Sequence, residues 1–175
     1  MYRILDWYAA VRDFVELGGP VMHLIGPITL LMWLLVFERV SYFRGSHRRL
    51  MRDVIDGWRR RSDRRSWHAR QIREALVSRV TLSVDDHQPL LKTLVALCPL
   101  LGLLGTVTGM VEVFDVMAFS GSGNARSMAA GVSKATVPTM AGMVAALSGV
   151  FAVTLLSRFA RREVEHLRAE LTTEV

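Results

Sequence analysis

Cysteine is nearly absent from the sequence, and so are the motifs that bind nucleotides or metals. Among 175 residues only Cys98 is a cysteine, and it lies in an apolar run. One thiol excludes a disulfide framework and a cysteine cluster for a metal ion. The chain also has no GxxxxGK[ST] phosphate loop, no glycine-rich dinucleotide turn after a strand, and no pair of histidines at helical spacing. We therefore expect a protein that is not an enzyme and that holds no metal or cofactor.

Charge is missing as well, over three long stretches. Residues 21–37, 93–111 and 135–157 contain no Asp, Glu, Lys or Arg, although charged residues make up 22% of the chain. About 20 apolar residues in a helix cross the ~30 Å hydrocarbon core of a bilayer. The sequence therefore predicts an all-α membrane protein whose three transmembrane helices lie in segments 20–43, 91–119 and 127–160.

Two short segments, 1–19 and 120–126, lie outside the predicted spans. Apolar residues recur at three- and four-residue steps in segment 1–19, which predicts an amphipathic helix that lies in the membrane interface, with Trp7 and Tyr8 at headgroup level. Its charges are not those of a cleavable signal peptide. Glycines at 121 and 123 predict a turn in segment 120–126, after which Ser127 is a candidate N-cap for the third helix.

Positive charge is concentrated in one segment. Twelve arginines and four acidic residues lie between positions 44 and 79. Because basic loops stay in the cytoplasm, we expect the cytoplasmic region 44–90 and the tail 161–175 to be inside, and the N-terminus and the 120–126 turn to be periplasmic. Helical stretches are predicted in 44–90, and 161–175 is predicted to be a solvated continuation of the third helix. The arginines favour contact with anionic membrane lipids. A nucleic-acid-binding loop with Trp58 and Trp67 is the alternative, but we do not expect nucleic acid as a partner.

Small residues form strips along the second and third spans. Gly102, Gly105 and Gly109 recur at three- and four-residue steps, and the same steps separate Ala135, Thr139, Gly142, Ala146 and Gly149. Such strips let helix backbones approach closely in a membrane. They could pack the protein's own hairpin or join copies of the chain. Because three helices cannot easily use two complete small faces among themselves, we expect an oligomer.

Four polar residues lie near the predicted hairpin. Folding the chain near position 123 brings Glu112 and Lys134 to similar depth, as a possible pore or ion pair, and it places Thr106 and Thr139 together at a deeper level. Two alternatives remain open from the spacing. The charges could be solvated separately at the interface, and each hydroxyl could bond to a carbonyl of its own helix.

The sequences PLLGLLGTVTG at 99–109 and GVSKATVPTMAGMVAA at 131–146 resemble the ExbB/TolQ/MotA family of proton-driven motor subunits. The chain looks most like the short ExbB of a second-type TonB system. The resemblance implies an inner-membrane homopentameric ring around an ExbD-like single-span partner, which energises a TonB-like protein. It also implies that Thr106 and Thr139 line the proton pathway and that the ring surfaces include Gly102, Gly105 and Gly142.

Lys134 departs from the family pattern, because most ExbB and TolQ sequences have a glutamate at this position. A cation cannot carry a proton as a carboxylate does, so we hypothesise that Lys134 holds Glu112 or an acidic group of the partner. A flagellar stator subunit has four spans and a larger cytoplasmic domain, whereas a Tol-type subunit for envelope maintenance remains an alternative.

Overall fold

A computed structural model describes residues 2–63, 66–120 and 125–171. Within these ranges the chain forms helices and no strand, so the predicted all-α fold is confirmed. The helices are α1 (Tyr2–Leu17), α2 (Gly19–Arg44), α3 (Ser46–Arg59), α4 (Trp67–Asp85), α5 (Gln88–Ser120) and α6 (Ala125–Glu170). Three stretches, within 19–59, 67–119 and 131–170, are long and apolar enough to cross a membrane, as the sequence predicts.

The helix ends differ slightly from the predicted ones. α1 ends at Leu17, and Gly19 has φ 68°, a left-handed conformation that glycine adopts without a steric penalty. α6 begins at Ala125, two residues before the N-cap expected at Ser127. The predicted turn residues Gly121 to Asn124 lie outside the described residues, and so do the side chains of Trp7 and Tyr8.

The chain divides into two compact units. The hairpin unit consists of residues 1–33 and 93–150, and the bundle unit consists of residues 34–92 and 151–175. In the hairpin unit the start of α2 packs on the other two spans, where Val21, Met22 and Ile25 are buried beside Leu101 and Ala141.

The bundle unit has an apolar core of its own outside the three uncharged stretches. α3 is strongly amphipathic, and Val54 and Trp58 on its apolar side are buried, which confirms the predicted helix there. α6 continues to Glu170, as predicted, but Leu167 and Leu171 are buried in this core. The tail is therefore not simply solvated, because one of its faces completes the bundle.

Candidate functional site

Glycines set the distance between α5 and α6 in the hairpin unit. A Cβ built at Gly102 would lie 3.0 Å from the Cα of Thr139, and one at Gly142 would lie 2.5 Å from the carbonyl oxygen of Cys98. At Gly105 the neighbour is the ring of Pro138, which is fully buried. Because these glycines have no side chain, the two helices approach closely at all three positions.

The two small strips therefore pack against each other. Gly109 faces Ala135, and Ala146 is buried with Cys98 and Ala145. The expectation that three helices cannot easily use both small faces among themselves was wrong for these positions, because the strip of α5 packs on the strip of α6. For these glycines the structure shows packing within the hairpin of one chain, and the ring remains a prediction.

The two threonines differ in their hydrogen bonds. The hydroxyl of Thr139 donates across the hairpin to the carbonyl oxygen of Gly102, over 3.1 Å. The hydroxyl of Thr106 donates to the carbonyl oxygen of Leu103 in its own helix, over 2.7 Å. Thr139 thus contacts α5 at Gly102, because the missing side chain of Gly102 admits the backbone at Thr139. The shared level of Thr106 and Thr139 stays a prediction.

The structure brings Glu112 and Lys134 together. The Nζ atom of Lys134 lies 3.6 Å from Oε2 of Glu112, and the two side chains are 46% and 52% exposed. The pair borders a cleft of about 170 Å³, with Gly109, Val113 and Gly131 in its wall. Two opposite charges beside a cleft on the hairpin can interact with water or with a charged group of another chain.

Sequence reasoning missed part of the hairpin contact. Gly131 faces Val113, and Gly149 faces Met32 and Val95 across the unit. The sequence predicts Gly149 only as a member of the small strip of α6. Its neighbour Met32, which is fully buried, comes from the first span. The partner could not be inferred from helical spacing within α6 alone.

The fold and the hairpin define a polytopic membrane protein whose polar groups face one another across two closely packed spans. The sequence profile of the MotA/TolQ/ExbB proton channel family matches residues 44–169. The chain therefore belongs to this family, as the motifs of the hairpin predict.

Named relatives agree with this assignment. The chain is 36% identical over 83 residues to the putative biopolymer transport protein ExbB-like 1 of Synechocystis sp., covering 46% of this chain and 33% of the relative. It is 40% identical over 83 residues to the biopolymer transport protein exbB1 of Vibrio cholerae, covering 47% and 36%. It is 36% identical over 77 residues to the Tol-Pal system protein TolQ of Haemophilus influenzae, covering 43% and 33%. The chain thus spans about a third of the length of these relatives.

Proposed function

We propose that the protein is an ExbB-like subunit of the bacterial inner membrane. With an ExbD-like single-span partner, it uses the proton motive force to energise a TonB-like protein for outer-membrane uptake of a cargo such as an iron siderophore. The copies of the chain form a ring, which we propose to be a homopentamer. The family match over residues 44–169, centred on a hairpin with two threonines and an ion pair, is the observation that supports this proposal.

Thr106 and Thr139 are the proposed proton-pathway residues. Each hydroxyl donates its own hydrogen to a carbonyl oxygen, so its lone pairs stay able to accept from water or from a protonated group. One proton that crosses about 100 mV releases about 2.3 kcal/mol. That free energy is sufficient to bias modest steps of a moving interface.

Valine substitutions test the pathway. Thr106→Val and Thr139→Val are each expected to reduce energy-dependent cargo uptake in the native host while leaving the membrane complex intact on native gels. Thr136→Val is the matched control, because Thr136 is exposed, its hydroxyl donates to the carbonyl oxygen of Ser133 in its own helix, and it is not a proposed pathway residue. Wild-type uptake by the double Thr106, Thr139 variant would remove both residues from the mechanism.

A Tol-type role in envelope maintenance is the second candidate, because the chain is also similar to TolQ. Deleting the gene distinguishes the two roles. A deletion strain that grows poorly when iron is scarce but resists detergent supports the ExbB-like function. A strain that is sensitive to detergent but takes up iron normally supports the Tol-type function.

The nucleic-acid alternative loses support in the bundle unit. Stacking on bases needs exposed aromatic rings. Trp58 is only 2% exposed and lies in the core, so it is not placed for stacking. Of the two tryptophans on which that alternative depended, only Trp67 is exposed.

A further inference from the structure

A buried arginine in the bundle unit holds the turn between α4 and α5. The side chain of Arg39, on α2, is only 5% exposed. Its Nη1 atom donates to the carbonyl oxygen of Ser83 over 3.4 Å, and its guanidinium lies 5.5 Å from the ring centre of Tyr42. The hydroxyl of Tyr42 in turn hydrogen-bonds to the hydroxyl of Ser83. These contacts fasten α2 to the last turn of α4.

The remaining contacts of Arg39 go to the turn itself. Its Nη2 atom lies 3.0 Å from Nδ1 of His87 and 3.6 Å from Oδ2 of Asp86. In the described chain, Nε of Arg39 is buried without a hydrogen-bond partner. The buried charge thus depends on few acceptors, and the ring of His87 is the nearest of them.

The backbone of His87 indicates that the turn is held in place. His87 has φ 62°, and it is the one non-glycine residue with positive φ in the described chain. A left-handed conformation costs free energy for residues with a Cβ atom and persists where the surroundings fix it. Backbone hydrogen bonds lie on both sides of it: the amide of Asp86 donates to the carbonyl oxygen of Leu82, and the amide of Leu91 donates to the carbonyl oxygen of His87, each over 3.0 Å.

The Nδ1 atom of His87 faces two groups with opposite requirements. It lies 3.0 Å from the guanidinium of Arg39, which can only donate, and 3.2 Å from the carboxylate of Asp86, which can only accept. A neutral ring with a lone pair on Nδ1 accepts from Arg39. A protonated ring donates from Nδ1 to Asp86, loses the bond to Arg39, and places a second positive charge beside it.

We propose that the contact of Arg39, Asp86 and His87 is a pH-sensitive clamp on the α4–α5 turn, closed when His87 is neutral and loosened when it is protonated. The exposures of the groups decide the direction. Asp86 is 65% exposed, so the new pair with a protonated ring is screened by water and stabilises little. Arg39 is buried, so the loss of its acceptor leaves a charge that water does not compensate.

Other charged groups near the turn are held elsewhere. The carboxylate of Asp85 accepts from the side-chain amide of Gln88 over 3.2 Å, and the amide oxygen of Gln88 accepts from the hydroxyl of Ser157 on α6 over 2.8 Å. The charged groups that the structure places against the His87 ring are thus Arg39 from α2 and Asp86 from the turn, within the described residues. The first residue of α5 is tied to α6 by the Gln88 contact, so loosening the turn acts at the start of a membrane helix.

Hydrogen exchange of the full-length protein in lipid nanodiscs tests the clamp. Between pH 8 and pH 5.5 the charge of a histidine changes. After correction for the intrinsic pH dependence of exchange, we expect protection of the amides of Asp86 and Leu91 to fall at least about tenfold, the change expected when one charge-assisted hydrogen bond is lost. Protection that does not change with pH overturns the proposal.

A substitution that keeps the turn but removes the titration is the decisive variant. In His87→Asn the side-chain oxygen can still accept from Arg39, and asparagine tolerates positive φ. We expect its protection to be independent of pH over this range, whereas His166→Asn, which changes an exposed histidine of the same unit, keeps the wild-type response. An unchanged pH response in His87→Asn overturns the proposal.

Asp86→Asn provides a second variant in case His87→Asn does not fold. It removes the carboxylate that favours the protonated ring. Because that screened pair stabilises the protonated ring only a little, the loss of protection is expected to persist and to lie at the same pH or slightly lower. Protection that no longer falls with pH, or a loss of protection that moves to higher pH, contradicts the clamp. Because the readout is the turn itself rather than transport, its result is separate from the outcome of the uptake experiments.

Discussion

At the scale of single residues, Gly142 is a position where the helix packing leaves no space for a side chain. A Cβ atom there would meet the backbone oxygen of Cys98 at 2.5 Å and the Cα of Gly102 at 3.2 Å. Backbone atoms cannot move aside as the end of a flexible side chain can. Gly142→Ala is therefore expected to lower the free energy of unfolding by about 1–3 kcal/mol, the usual range for overpacking, measured by thermal unfolding in detergent.

Gly26→Ala is the matched control for Gly142→Ala. Gly26 also lies in an apolar helix of the hairpin unit, but no atom lies within 4 Å of a Cβ built there. Alanine is favoured over glycine in a helix by about 0.5–1 kcal/mol, so this variant should match the wild type or unfold at a higher temperature. Equal midpoints for Gly142→Ala and the wild type would show that the helices are not packed this closely.

The sequence predicted the residues of the hairpin better than their contacts. The small strips and the Glu112–Lys134 proximity followed from helical spacing and from the position of the turn. Which strip faces which surface did not follow, because the period of a helix indicates a face but not its partner. The hydrogen bond from Thr139 to the carbonyl oxygen of Gly102 was not predicted for the same reason.

At the scale of elements, α3 depends on one large side chain. Trp58 is 2% exposed in the bundle core, and its buried indole nitrogen has no hydrogen-bond partner in the described chain. Trp58→Ala is expected to lower the free energy of unfolding by about 3–5 kcal/mol because it leaves a cavity. Trp58→Phe should cost much less, since it fills most of the space and removes an unpartnered donor.

Trp67→Ala is the control for the tryptophan series. Trp67 begins α4 and is 62% exposed, with its ring against that of His68. Its truncation should change stability by no more than about 0.5 kcal/mol, as surface substitutions usually do. Limited proteolysis of segment 44–90, combined with circular dichroism, compares the variants. If Trp58→Ala and Trp67→Ala were equally resistant to cleavage, the bundle core would not depend on Trp58.

The elements outside the membrane were predicted less completely than the spans. An uncharged stretch of about 20 residues crosses a bilayer as a helix, because a helix satisfies every backbone group within one segment. The segment 44–90 has no such constraint. Its spacing predicted α3, but the packing of α3 and α4 with the end of α6 requires long-range contacts that spacing does not encode.

At the scale of the whole molecule, the positive charge is distributed unevenly. Of 22 lysines and arginines, 18 lie in residues 34–92 and 151–175, the bundle unit. The sixteen acidic residues offset part of this charge, and the bundle unit keeps an excess of seven positive charges while the hairpin unit has an excess of one negative charge. Because arginine-rich segments are retained in the cytoplasm, this distribution predicts the orientation of the chain.

Cysteine labelling in intact spheroplasts measures that orientation. The single native cysteine, Cys98, is fully buried, and Cys98→Ser keeps a group that can bond to the carbonyl of Leu94. In that background, Ser122→Cys in the predicted periplasmic turn should react with a membrane-impermeant maleimide. Ser62→Cys, at an exposed position of the basic segment, should react only after the membrane is opened. The opposite labelling pattern would place the basic segment in the periplasm and would contradict the predicted topology.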